Sequence, residues 1–273
     1  MIIITIIIIF TIVVFLASIS YPSTFNTIKI AIYHCGITAP SLLYHGLPLK
    51  FIRPKYISNT PLVNKNVIVF VHGRNGWHSD FDALIVNLKL LLPNNLSENN
   101  ILISEKKYAL RSINLGETGY TSIEEDAKRL KTELKIYENC KIVLIGLSKG
   151  GLTIMKYATK YNDARLIKLI TISSPLKGTQ IVSLLFSQKS SVFESLSFNN
   201  SIVNQIIKDK QNLNVPIYHI VPTFDHLIIP TSSAKYDDTP DENIYYYDGY
   251  YYSHAGICFN IDVAKSIIKW IQS

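Results

Sequence analysis

Residues 141–151, KIVLIGLSKGG, constrain the fold more than any other part of this 273-residue chain. The first six, KIVLIG, are apolar on both faces and rich in β-branched side chains, as in a strand buried inside a parallel sheet. Residues 152–161 continue as a helix. Between the two, Gly146-Leu147-Ser148-Lys149-Gly150 must turn so sharply that the flanking positions tolerate almost no side chain, and Gly146 and Gly150 meet that demand, with Gly151 following. Such a turn lifts the Ser148 hydroxyl above the end of the sheet and aims the helix N-terminus at any negative charge developing there. G-x-S-x-G alone is common by chance. With a strand before it and a helix after it, the motif makes Ser148 a candidate nucleophile.

The rest of the chain repeats the alternation. Residues 67–71 (VIVFV) read as a second buried strand, 166–173 (LIKLITIS) as a third, 215–221 (VPIYHIV) as a fourth and 244–247 as a fifth. Residues 121–137 carry a helical pattern: Thr121 or Ser122 can cap it, acidic residues fill its first turn, and Ile123, Ala127, Leu130 and Leu134 recur at helical spacing. Residues 263–271 form a closing amphipathic helix. Strand–helix–strand alternation predicts an α/β domain with a mostly parallel sheet, because parallel neighbours need crossovers. One such domain is expected over residues 61–273, preceded by a connector at 21–60, with no internal repeat.

Composition removes several function classes. With 48% hydrophobic and 17% charged residues the chain can bury a real core, which excludes a disordered binding segment. Cys35, Cys140 and Cys258 have no close spacing, so neither a disulfide framework nor a cysteine zinc site fits. The net charge of +7 favours anionic surfaces, yet the basic residues are scattered and lack the interleaved aromatics of a nucleic-acid groove. No nucleic-acid partner is expected, and nothing points to a protein partner.

Residues 2–19 hold 18 positions without a charge, and the first charged side chain is Lys29. A run of that length can cross a bilayer as a helix. Residues 1–20 are therefore expected to be a single-pass membrane anchor. The alternative is a cleaved signal peptide and a secreted protein, with Ser18 and Ser20 before the cut; against it, no Lys or Arg leads the run.

Five stretches occur in order: Val71-His72-Gly73-Arg74; residues 146–151; Ser173-Ser174-Pro175-Leu176-Lys177-Gly178-Thr179; Asp225-His226-Leu227-Ile228-Ile229-Pro230; and Ser253-His254-Ala255-Gly256. On these the chain resembles the α/β-hydrolase superfamily, of the lipase and esterase type, from about residue 67 to the C-terminus. The third stretch resembles the S-T-P-H-x-G-T that follows the strand after the elbow, and the fourth the segment that carries the acid. The resemblance implies an α/β-hydrolase fold. Lys149 and Leu147 depart from the Met or Gln and the His frequent at those places, which bears on substrate preference.

The same residues assemble a mechanism. Ser148 needs a base, and a neutral imidazole is the usual one near pH 7. His254 follows the last strand, where a loop can bring it over the elbow; His34, His45, His72, His78, His219 and His226 are its rivals. His72 reads better as a loop-shaping residue and His219 as a core histidine within a strand. Asp225, just past the VPIYHIV strand, can orient the imidazole, with Asp237, Asp238 and Asp241 as rivals. The order Ser148, Asp225, His254 is that of this fold. Backbone N–H groups of Arg74 and Lys149 would form the oxyanion hole. No metal or cofactor is required.

Residues 176–214 make a long excursion, rich in apolar residues among Ser, Asn and Gln. It is either a lid over an acyl-chain site or a crossover helix packed on the sheet. The expectation is a serine hydrolase cleaving carboxylic, chiefly lipid, esters through an acyl-enzyme on Ser148. Alternatives are an acyltransferase or thioesterase with the same triad, or a catalytically silent binding scaffold.

Overall fold

The β-branched runs at residues 67–71 and 141–147 become the two central strands because both faces of each are covered. The computed structural model describes residues 66–74, 76–92, 100–116, 118, 121–181, 195–249, 254 and 256–273. Seven strands form one sheet: β1 (Asn66–Val71), β2 (Asn100–Ile103), β3 (Lys106–Ile113), β4 (Lys141–Leu147), β5 (Leu166–Ile172), β6 (Ile217–Pro222) and β7 (Ile244–Tyr247). Their spatial order is β2-β3-β1-β4-β5-β6-β7, antiparallel between β2 and β3 and parallel elsewhere. The expected α/β architecture is present.

Alternation along the strands divides the core. Val67, Val69 and Val71 of β1 pack with helices α2 (Ile123–Glu133), α3 (Lys149–Tyr161) and α4 (Ser201–Asp209). Ile68 and Phe70 face the other way, onto α1 (Asp82–Leu91) and α5 (Ile261–Gln272). Each side chain so buried contributes roughly 1.5–3 kcal/mol of transfer free energy. From β1 the chain moves out to β3, then returns past β1 to β4. That reversal opens a crevice at the carboxyl ends of β1 and β4, where α/β sheets bind ligands.

Local signals set the helix ends. Ser122 accepts from the Glu125 N–H at 3.2 Å and the Glu125 carboxylate accepts from the Ser122 N–H at 2.9 Å, a reciprocal cap that starts α2. Asn162, in a left-handed conformation at φ 43°, ends α3. Within the excursion at 176–214, α4 starts on an Asn200 cap and buries Val203 and Ile206, packing against α3. This part is a crossover helix, while residues 182–194 lie outside the described residues. So do the segment at 1–20 and the connector at 21–60. Among the described residues no helix is long and apolar enough to cross a membrane.

Three elements have no counterpart in the sequence reading: α1 and the β2–β3 hairpin. The hairpin turns on Ser104 and Glu105, both at positive φ (46° and 64°). Tight two-residue hairpins require that conformation and usually supply it with Asn-Gly or Asp-Gly, so the cue is missing here.

His219 on β6 is a core residue, fully buried, with its Nδ1 2.7 Å from the Thr171 hydroxyl on β5. Burial pushes its pKa down from 6.5 to about 3. The folded protein therefore keeps this imidazole neutral while the unfolded chain protonates it. The associated stability is complete above the ordinary imidazole value and is lost as pH falls below it. Between pH 7 and pH 5 the wild type should lose on the order of 2 kcal/mol that His219→Asn does not lose, measured by urea unfolding of both proteins at the two pH values.

Candidate active site

Ser148 stands between β4 and α3 at φ 54°, ψ −124°, a backbone conformation that a non-glycine residue holds only when its surroundings impose it. The surroundings are close-packed backbone. A Cβ on Gly146 would sit 2.5 Å from the Gly150 carbonyl oxygen, and one on Gly150 would sit 2.2 Å from the Val71 oxygen and 2.6 Å from that of His72. The first turn of α3 thus lies directly on the end of β1. The Ser148 N–H donates to the Ile172 carbonyl at 2.8 Å, which ties the elbow to β5. On the other side, a Cβ on Gly73 would come within 2.9 Å of the Ser148 Cβ and 3.5 Å of its Oγ. The His72-Gly73-Arg74 segment therefore runs against the candidate nucleophile.

Asp225 and His254 are brought together. Their Oδ2 and Nδ1 atoms are 2.7 Å apart, with Asp225 buried beyond the end of β6 and His254 beyond β7. The other Asp225 oxygen accepts from the backbone N–H groups of Leu227, at 2.8 Å, and Ile228, at 3.2 Å. Burial alone would raise the carboxyl pKa, but the His254 ring and these bonds outweigh it and hold Asp225 below the ordinary carboxylate value. Of the rival acids, Asp237 pairs with Lys177 and Asp238 with Lys210, each at 2.7 Å, and Asp241 lies in a single turn of 3-10 helix before β7. Ser148, Asp225 and His254 all leave the sheet at its carboxyl edge. A cleft of about 370 Å³ lined by Lys131, Tyr157, Asp163 and Arg165 lies at the opposite edge, before β5, remote from them.

Two of the sequence stretches brace each other. The Thr179 hydroxyl donates to the Leu227 carbonyl at 2.9 Å and accepts from the Ile229 N–H at 3.0 Å, so the S-S-P-L-K-G-T loop supports the acid loop. Gly249, absent from the sequence reading, does similar work. Its missing Cβ would lie 1.8 Å from the Phe224 carbonyl oxygen, so only glycine lets the chain leading to His254 cross the residue before Asp225. The Asp248-Gly249 turn dipeptide was the available signal.

His72 shapes its loop, as expected. Its Nε2 accepts from the Leu115 N–H at 3.0 Å, which leaves the proton on Nδ1 to be donated to the Gly73 carbonyl at 3.0 Å. Burial lowers its pKa, consistent with that neutral tautomer.

Lys149 differs from expectation. Its side chain is 1% exposed and turns inward. The ammonium group forms an ion pair with Asp126 at 2.7 Å and donates to the carbonyls of Thr118 at 2.7 Å and Thr121 at 2.5 Å. Burial lowers its pKa, against the opposing field of Asp126. The departure from Met or Gln at this place thus bears on the packing beneath the elbow.

Residues 67–219, more than half of the chain, match the palmitoyl protein thioesterase family. That match ends before Asp225 and His254. No curated protein matches the chain in sequence. In fold it is similar to a gene product of Listeria innocua (TM-score 0.57, 16% identity, covering 77% of this chain and 95% of that one). It is also similar to the mature lipase BlEst2 of Bacillus licheniformis (0.55, 14%, 80% and 96%) and to a monoacylglycerol lipase of Paleococcus ferrophilus (0.53, 16%, 76% and 93%). The elbow between β4 and α3, the strand order of the sheet and the family match together assign the chain to the palmitoyl protein thioesterase family, a hydrolase-type enzyme family of the α/β-hydrolase superfamily.

Proposed function

We propose that the protein is a serine hydrolase that cleaves long-chain acyl esters and thioesters through an acyl-enzyme on Ser148. The observation that carries this reading is the 2.7 Å Asp225–His254 pair at the same sheet edge as the strained Ser148. His254 Nε2 takes the Ser148 Oγ proton as the oxygen bonds to the acyl carbonyl carbon. The resulting oxyanion is held by the backbone N–H groups of Arg74 and Lys149. Collapse expels the alcohol or thiol, to which His254 returns the proton. Water, deprotonated by the same imidazole, then releases the carboxylic acid and frees Ser148. Throughout, Asp225 accepts the Nδ1 proton of His254 and holds the ring in the tautomer that leaves Nε2 free.

An acyl substrate is supported by the family of the chain and by Leu227 and Ile229, 40% and 37% exposed immediately after the acid. An exposed apolar pair at that place suits an aliphatic chain entering the crevice. In this reading residues 2–19 anchor the enzyme at the membrane that supplies such substrates.

Three outcomes are expected. Treatment of the full chain in detergent with a fluorophosphonate should give one adduct, on Ser148 by peptide mapping, and none in Ser148→Ala. An unlabelled folded wild type would defeat the reading. Asp225→Asn should lower kcat on p-nitrophenyl palmitate and palmitoyl-CoA by about 10³- to 10⁴-fold, by leaving the wrong imidazole tautomer. Alkaline carbonate should leave the full chain in the membrane pellet and release a variant lacking residues 1–20; release of both would remove the anchor.

A further inference from the structure

We propose that Thr118, held by Lys149 and Asp126, is a positioning residue that orients the Gly73–Arg74 peptide so that its N–H faces the oxyanion; this rests on the acyl-enzyme reading above. The peptide is trans, so its C=O and N–H point in opposite directions, and whatever fixes the Gly73 oxygen fixes the Arg74 N–H. Three donors converge on that oxygen: Nδ1 of His72 at 3.0 Å, the Gly76 N–H at 3.2 Å and the Thr118 hydroxyl at 2.7 Å. The Gly76 N–H belongs to the loop itself and would travel with it, whereas His72, at the end of β1, is anchored in turn by the Leu115 N–H at 3.0 Å. Thr118 is the shortest of the three and ties the loop to another part of the chain.

Thr118 is itself tethered. It is 1% exposed, and its carbonyl accepts from Lys149 Nζ at 2.7 Å. The same ammonium group reaches the Thr121 carbonyl at 2.5 Å and Asp126 Oδ2 at 2.7 Å, and the Thr121 hydroxyl donates to Asp126 Oδ1 at 2.5 Å. The buried ammonium group thus donates to two carbonyls and is balanced by one carboxylate in ion-pair contact. Lys149 also contributes its main-chain N–H as the second proposed oxyanion donor. A closed path thus joins both donors: from the Arg74 peptide through the Gly73 oxygen and Thr118 to the Lys149 side chain, and back to the Lys149 main chain. Fixing the separation of two preorganised donors matters because they must fit the transition state, with no reorganisation left to do.

The test uses the full chain in detergent, with Thr118→Val, Thr118→Ser and Ser148→Ala assayed on p-nitrophenyl butyrate and against a trifluoromethyl ketone that mimics the tetrahedral intermediate. Thr118→Val should lose about ten- to a hundredfold in kcat, and a similar factor in affinity for the ketone, with KM changed less than about twofold. Thr118→Ser, which keeps the hydroxyl, should stay within about threefold of wild type. A purely structural role would lower the melting temperature while leaving kcat and ketone affinity of the folded protein unchanged, and that result overturns the proposal. So would equal losses in the serine and valine variants. If the valine variant does not fold, Thr118→Ala removes the same donor and carries the comparison. Full activity in Ser148→Ala would sink the acyl-enzyme reading itself, whereas a dead Ser148→Ala beside an unimpaired Thr118→Val would sink the positioning role alone.

Discussion

Everything at the candidate site depends on how closely two pieces of backbone approach each other. The carbonyl oxygens of Val71 and His72, at the end of β1, lie where a Cβ on Gly150 would be, so α3 starts in direct contact with the neighbouring strand. That contact puts the His72-Gly73-Arg74 segment beside Ser148 and leaves Ser148 at a positive φ that its own side chain disfavours. The strain is sustained by burial on both faces of β1 and β4, whose apolar side chains cannot shift without opening voids in a close-packed interior.

From that contact, polar groups spread outward in two connected sets. Beneath the elbow, Lys149, Asp126, Thr121, Thr118, His72 and Leu115 satisfy one another and leave the Gly73 carbonyl held from several sides. Across the sheet edge, Asp225 is held by the turn that follows it, Thr179 braces that turn, and His254 closes onto the remaining carboxylate oxygen. Buried polar sets of this kind are costly when any member is unmatched, and the charged members here have partners.

Much of this was readable in the residues. The elbow, both central strands and the capped helix after Ser122 follow from short-range rules: apolar periodicity, capping chemistry and the steric demand of a tight turn. The order Ser148, Asp225, His254 is what the family resemblance implied. The β2–β3 hairpin escaped because its turn uses Ser104 and Glu105 in place of glycine or asparagine, and because Lys106, Lys107, Arg111 and Ser112 leave β3 only a short apolar run. Helix α1 escaped because its apolar residues do not stay on one face: Leu84, Ile85 and Leu88 are buried while Val86 and Leu90 are exposed.

The sequence by itself determined the fold class, the strand carrying the candidate nucleophile and the residue types available for the chemistry, because these depend on neighbours a few positions apart. Only the tertiary structure decided that Lys149 turns inward to Asp126 and that Gly249 must yield to Phe224. It also brought Asp225, already preferred in the sequence over Asp237, Asp238 and Asp241, to 2.7 Å from His254. Those outcomes depend on distances between residues 23 to 29 positions apart or more, such as 149 − 126 = 23 and 254 − 225 = 29, brought together by the sheet. No local pattern encodes such distances, since they are set by how strands stack and where loops cross at the sheet's carboxyl edge.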